Sequence, residues 1–272
     1  MSILNSSIVP VGSTGGFSID NSLRFNDTDR TSTGTGSNSY LSFVPTTTSN
    51  RRTATFSAWV KRSILGNIDN IISFGRNQQH VRFQDQINIR DYNDGSSQLD
   101  TSALFRDVSA WYHIVLAIDT TQATASNRIK LYVNGSQVTS FSTEVYPTLN
   151  QDWSFNYTGA TMYIGAREWN NATPGSIIQG LDGYMSEVHW IDGTALDPTS
   201  FGETGDYGEW KPIEVTGMTY GTNGFYLDFS NSGTKHTLTA NGNAQHSTAQ
   251  SKIGSSSMVF DGAGDYVSVS NP

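Results

Sequence analysis

Few side chains in this 272-residue chain have a type and spacing that could do chemistry. The best acid pair lies in Glu187-Val188-His189-Trp190-Ile191-Asp192. Double displacement at a glycosidic carbon needs two carboxyl groups about 5–5.5 Å apart, which alternate positions on one strand can supply. Glu187 and Asp192 are five residues apart, so strand alternation sends them to opposite faces. The position two beyond Glu187 is His189, not an acid. A serine hydrolase is no better supported, since no Gly-x-Ser-x-Gly elbow occurs. The chain has no cysteine, and its His, Asp and Glu residues show no transition-metal spacing. Trp111 and His113 share a face, where they read as a core Trp beside a hydrogen-bonded His. His189 reads the same way, and His80, His236 and His246 stand alone in polar stretches.

Binding chemistry has better candidates. Sugars are held by exposed aromatic rings that stack on pyranose faces, with polar neighbours for the hydroxyls. Trp153 and Trp169 lie in QDWSFNYTG and REWNNATPG, polar segments that also carry Tyr157 and Arg167. These four residues form the candidate ligand set. The acidic stretch DYNDG (91–95) has oxygen ligands for a hard cation but reads first as a hairpin turn.

The elements that must position these residues are strands. Charged residues are only 15%, aromatics 11%, and there are 26 glycines. Ser, Thr and Asn crowd the gaps between apolar runs, as suits polar turns rather than helix interiors. About a dozen short runs have strand character, among them SLRF (22–25), YLSFV (40–44), ATFSAWVK (54–61), HVRF (80–83), QINIRDY (86–92) and DGYMSEVHWID (182–192). In ATFSAWVK, Phe56, Ala58 and Val60 fall on one face and Thr55, Ser57 and Trp59 on the other. WYHIVLAID and RIKLYV (111–119, 128–133) are two strands of a meander, and Asn134-Gly135 is the dipeptide a type I′ turn wants. The only helical turn expected is LDPTSFG, with Asp197 as N-cap and Pro198 at N1. The expectation is an all-β antiparallel sandwich of jelly-roll type. A propeller, the runner-up, needs a 40–50-residue repeat that is absent.

The expected organisation is an extended arm (1–20), a sandwich (21–230), a polar linker or loose extension (231–256), and a final segment (257–272). That segment echoes the start: SMVFDGAGDYVSVS matches SLRFNDTDR…YLSFV at an offset of 235 residues. It is either the start of a second repeat, in a fragment of a longer tandem protein, or a pair of closing strands. The net charge of −8 and pI near 5.0 argue against nucleic acid or anionic membrane as partner. The start has no basic and apolar signal-peptide pattern, and no window holds the roughly 20 apolar residues of a membrane helix.

The order Trp-x-His strand, Tyr-Val-Asn-Gly strand, then Gly183–Val188 followed by Ala195-Leu196 resembles the LamG-type branch of the concanavalin A-like lectin/glucanase superfamily over roughly 20–230. SIVPVGSTG, SLRFND, AWVKRS and WIDGTALDPTSFGE are similar to LamG-containing virion structural proteins of marine tailed bacteriophages. The resemblance implies a concanavalin A-like jelly roll carried on a virion surface as a tail fibre, appendage or capsid component and released by lysis, and the missing acidic partner in the Glu187–Asp192 strand argues against catalysis. Its implied partners are other virion proteins, further copies of itself, and cell-surface or algal polysaccharide. A purely structural decoration protein and a glucanase-like enzyme are the alternatives. No cofactor is required. The superfamily also implies a structural calcium site, which falls here on Asn26, Asp27 and Asp182, with Asp261 in the second copy.

Overall fold

In chain order the strands are β1 (Asn21–Phe25), β2 (Leu41–Phe43), β3 (Thr53–Arg62), β4 (Asp69–Phe74), β5 (Gln79–Gln84), β6 (Gln86–Asp91) and β7 (Gln98–Thr101). Next come β8 (Tyr112–Asp119), β9 (Ile129–Val133), β10 (Ser136–Gln137), β11 (Phe141–Val145), β12 (Met162–Ile164), β13 (Arg167–Glu168), β14 (Ile177–Ile178) and β15 (Gly183–Asp192). The chain closes with β16 (Gly202–Thr204), β17 (Trp210–Pro212), β18 (Phe225–Leu227), β19 (Leu238–Asn241), β20 (Gln245–Ser247), β21 (Ser256–Val259) and β22 (Tyr266–Val269). The computed structural model describes residues 16–27, 39–75, 79–92, 97–169, 177–230, 238–241, 245–247, 256–259 and 266–269. Most of the expected arm, the centre of DYNDG and Asp261 lie outside those residues.

The strands build two large sheets, as the alternation anticipates. Sheet I runs β10-β9-β8-β3-β15-β1-β21-β20, and β18 also pairs with β15. Sheet II runs β11-β7-β6-β5-β4-β12-β2-β22-β19. Their inner faces share one apolar core. Phe56, Ala58 and Val60 of β3 enter it with Ile114, Leu116 and Ile118 of β8, opposite Val81 and Phe83 of β5 and Ile87 and Ile89 of β6. The protein is therefore an all-β sandwich, and the helical content of the described residues is single turns at Ala125–Asn127 and Pro198–Ser200. The Asp197 carboxylate caps the second by accepting from the Thr199 N–H at 2.9 Å.

Because each strand alternates, whatever does not face the core faces out. On sheet I the outward residues are covered by a strap, residues 193–224, which carries the β16–β17 hairpin. The strap adds a second apolar cluster in which Phe201 packs on Val115 and Ile191. Trp111 departs from the core position expected for it. It starts just before β8, is only half-buried, and meets Tyr184 at 6.4 Å between ring centroids.

The echoed segments lie side by side. β21 pairs with β1 in parallel, Ser22 facing Ser257 and Leu23 facing Met258. β22 pairs with β2 in parallel, Leu41 facing Val267 and Ser42 facing Ser268. In both sheets each residue faces its counterpart in the echo.

Candidate ligand-binding face

Two places gather polar side chains with chemical potential. The first lies beneath the strap, where Ser57, His113, Glu187 and His189 come together with Trp59 and Phe201. A β-bulge builds it: the β3–β15 register shifts between Ser186 and His189, and Glu187 takes φ 48°. Positive φ at a non-glycine residue is strained and is common at functional sites. The Ser57 Oγ lies 2.9 Å from His113 Nε2, and the Trp210 indole N–H donates to His113 Nδ1 at 2.8 Å.

The direction of these bonds decides the chemistry. An indole only donates, so Nδ1 must accept, and the imidazole proton sits on Nε2. Burial holds the His113 pKa down at about 3, so the ring stays neutral. His113 therefore donates to Ser57, whereas a serine nucleophile needs a histidine that accepts from it. His189, also pushed to about 3 by burial, bonds the Tyr220 hydroxyl at 2.9 Å and stacks on Tyr226 at 4.3 Å. Glu187 accepts from the Tyr226 hydroxyl at 2.5 Å, and burial raises its carboxyl to about 7. The cluster is a latch that fastens the strap to sheet I and ties β18 to β15 within it. The sequence reading of His113 and His189 as hydrogen-bonded structural residues agrees with this arrangement.

The second place is the outer face of sheet II. With Val81, Phe83, Ile87, Ile89 and Leu99 turned inward, His80, Arg82, Asn88, Arg90 and Asp100 turn outward. The hairpin register puts His80 opposite Arg90 and Arg82 opposite Asn88, and the β6–β7 pairing adds Asp100 beside Asn88. Asp100 gathers Arg90, Asn88 (2.6 Å) and Gln98 (2.8 Å), and these bonds hold its carboxyl below the usual range. His80 is only 1% exposed, yet neither ring nitrogen has a hydrogen-bond partner among the described residues. Its pKa is pushed well down, first by burial and then by Arg82, Arg167 and Arg90. Tyr92 lies beside it, ring centroids 5.6 Å apart.

The four residues expected to bind ligand divide. Arg167 and Trp169 do belong to this face: Arg167 stacks on Trp169 at 5.1 Å and is electrostatically coupled to Arg82. Burial lowers the Arg167 pKa to about 10. Trp153 does not belong. It is wholly buried in the core against Phe155, so it has no ring face to offer a sugar. Its loop is polar because it plugs the sandwich: Asn156 accepts from the Trp190 indole (3.0 Å) and donates to Asp192 (2.8 Å). Tyr157 is exposed, but it sits at that loop under the Arg51 guanidinium, 4.6 Å from its ring.

Two of the three expected calcium residues meet a different cation. The Asp182 carboxylate binds the Arg24 guanidinium at 2.5 Å, and the Asn26 side-chain oxygen accepts from the same group at 3.4 Å. Asp27 and Asp182 both act on buried Asp69, which is itself paired with Arg62 at 3.0 Å. The Arg24 guanidinium thus takes the Asp182 carboxylate and the Asn26 oxygen, two of the three groups expected to hold calcium. Among the described residues, no group of three or more His, Cys, Asp or Glu could hold a metal. None of the described helices is long and apolar enough to cross a membrane.

Sequence reasoning missed His80, Arg82, Asn88, Arg90 and Asp100. The signal was present in the alternation of HVRF and QINIR, whose apolar positions leave these residues on the opposite face. Only the hairpin register shows that they meet.

No curated protein matches the chain in sequence. Among solved structures, it is similar to a heptameric SAP-like pentraxin from Limulus polyphemus at 16% identity and TM-score 0.46, covering 76% of this chain and 91% of that one. It is also similar to the Ruminococcus gnavus IT-sialidase CBM40 bound to alpha2,3 sialyllactose, at 18% identity and TM-score 0.36, covering 49% and 74%. A third is tailspike protein 2 of Escherichia coli O157:H7 bacteriophage CAB120, at 12% identity and TM-score 0.43, covering 70% of this chain and 26% of that one. The model of the concanavalin A-like lectin/glucanases superfamily of laminin G type matches residues 35–200, more than half of the chain, and the protein belongs to that family.

Proposed function

We propose that this chain is a non-catalytic, lectin-like sandwich on the surface of a tailed-phage virion, holding host or environmental glycan on the outer face of sheet II. The observation that carries the binding reading is His80. A buried imidazole with both nitrogens unsatisfied costs free energy, and a sugar hydroxyl can donate to one nitrogen and accept from the other. Beside it stand the Tyr92 ring, the Asn88 amide and three guanidinium groups, one of which, Arg167, stacks on Trp169, the mixture of aromatic faces and polar hands that saccharides require. The non-catalytic reading is supported by the reversed Ser57–His113 bond. The virion placement is supported by the resemblance of SIVPVGSTG and WIDGTALDPTSFGE to phage structural proteins.

The test is an array of bacterial and algal polysaccharides probed with the native chain and with Trp169→Ala. Binding that falls at least tenfold in the variant supports the reading. Binding to no glycan overturns it in favour of a decoration role, and release of reducing sugar overturns its non-catalytic part. Immunogold labelling of virions checks the placement.

A further inference from the structure

We propose that the strap over sheet I is a pH-gated cover: proton loss at Glu187 favours a state in which residues 193–224 lift away while the sandwich stays folded. The cover lies on sheet I, apart from the sheet II face proposed to hold glycan. Glu187 sits at the β15 bulge with φ 48° and is only 7% exposed. Its pocket is walled by Trp59, His113 and His189 of the sheet and closed by Phe201, Pro212 and Ile213 of the strap. Nothing around the carboxyl welcomes a negative charge. Tyr226 on β18 donates its hydroxyl, and Tyr220 of the strap lies close enough to feel the charge. Asp228, just past β18, and Asp20, just before β1, add negative charge of their own. His113 of β8 and His189 of β15 are buried and neutral, both held at about 3. Among the described residues no lysine or arginine offsets the carboxylate.

A carboxylate in such a place has lost its water without a replacement, which disfavours the charged form. The sheet walls cannot yield cheaply, because β3 is laddered to β8 and β15 along its length. The strap can. Its own ladder joins only β16 to β17, and separate bonds tie it down: Trp210 to His113, Tyr220 to His189, Leu196 to Thr55. Water therefore reaches the carboxylate at least cost by displacing the strap. Opening bares Val115 and Ile191, the apolar patch that Phe201 covers. The closed state holds the proton up to about 7, whereas a carboxyl returned to water releases it near 4.5. Opening is therefore insensitive to pH below that window, rises through it and levels off above it. Across the window the ratio of open to closed strap grows on the order of a hundredfold.

The experiment is amide hydrogen exchange of the native full chain at pH 4.5, 6 and 8, expressed as protection factors and repeated in low urea. The Leu196 and Asp192 amides bridge strap and sheet, bonding Thr55 Oγ1 and the Tyr220 carbonyl. They should be less protected than the β3 and β8 amides at every pH, and lose on the order of a hundredfold in protection from the lowest pH to the highest. Their exchange should respond only weakly to urea, because lifting the strap exposes little surface. In Glu187→Gln the same amides should keep one protection factor throughout. Bridging amides that match the core amides in protection and urea slope overturn the proposal, because they open only by global unfolding. Constant protection across the pH series in the native chain overturns it, as does a pH response that survives Glu187→Gln.

Discussion

Glu187 makes a testable link between the strap latch and pH. Its carboxyl is buried beside Tyr226 with no cation bonded to it among the described residues, and burial raises its pKa from 4.5 to about 7. Between those values the folded protein keeps a proton that the unfolded chain releases. Stability therefore falls as pH climbs through this window and levels off above about 7. A shift of that size corresponds to about 3 kcal/mol at 1.36 kcal/mol per unit. Glu187→Gln keeps an oxygen for the Tyr226 hydroxyl and carries no charge at any pH, so it should abolish this slope. Asp69 is also raised to about 7, and its contribution is common to both proteins and cancels in the difference. The assay is urea unfolding at pH 4.5, 6 and 8 with equal m-values. The native-minus-variant free energy should change by about 3 kcal/mol across the series, the native chain losing ground at high pH. A difference that stays flat would refute the placement of Glu187 as a buried acid.

Three further expectations concern the latch and the core. Trp210→Phe removes the donor to His113 Nδ1 and should cost about 1–3 kcal/mol, and imidazole 15N shifts should show the proton leaving Nε2-only occupancy. In the same contact, a Cβ on Gly135 would lie 2.3 Å from the Trp210 ring at φ 78°, so Gly135→Ala should destabilise strongly and Trp210→Ala should relieve the steric part. Trp153→Ala should cost about 3–5 kcal/mol as a core truncation. Below its melting temperature the variant should bind glycan with native affinity, unlike Trp169→Ala, because the Trp153 ring lies in the core.

Much of the scaffold was legible because alternation is a local property. The face of Phe56, Ala58 and Val60 could be read from ATFSAWVK alone. Asn134 and Gly135 take φ 48° and 78°, as their dipeptide demands. The Asn134 side chain also accepts from the His113 N–H at 2.8 Å, tying the two strands of the meander. What could not be read depends on which strands meet. Arg167 and Trp169 were recognisable as an aromatic and a cation in a polar setting, but their companions on β5 and β6 are remote in sequence. Trp153 was misread because Gln151, Asp152, Ser154 and Asn156 suggested exposure. Three of these four are themselves buried, and the structure bonds Ser154 to Gln79 and Asn156 to Trp190. Polar composition there marks a sealed network. Trp111 erred the other way, an aromatic strand start that stays at the surface.

The parallel register of the echoed strands has a consequence for self-recognition. A strand at a sheet border presents unfilled N–H and C=O groups, and the partner most able to zip onto it is another strand of its own sequence. Here β1 and β2 meet that partner within their own chain, position against position in both sheets. A tethered copy acts at an effective concentration on the order of millimolar, far above what a separate molecule reaches in dilute solution. The most hazardous competitor for these two borders is thus imitated and displaced in advance, so crowding many copies together need not fuse their sheets.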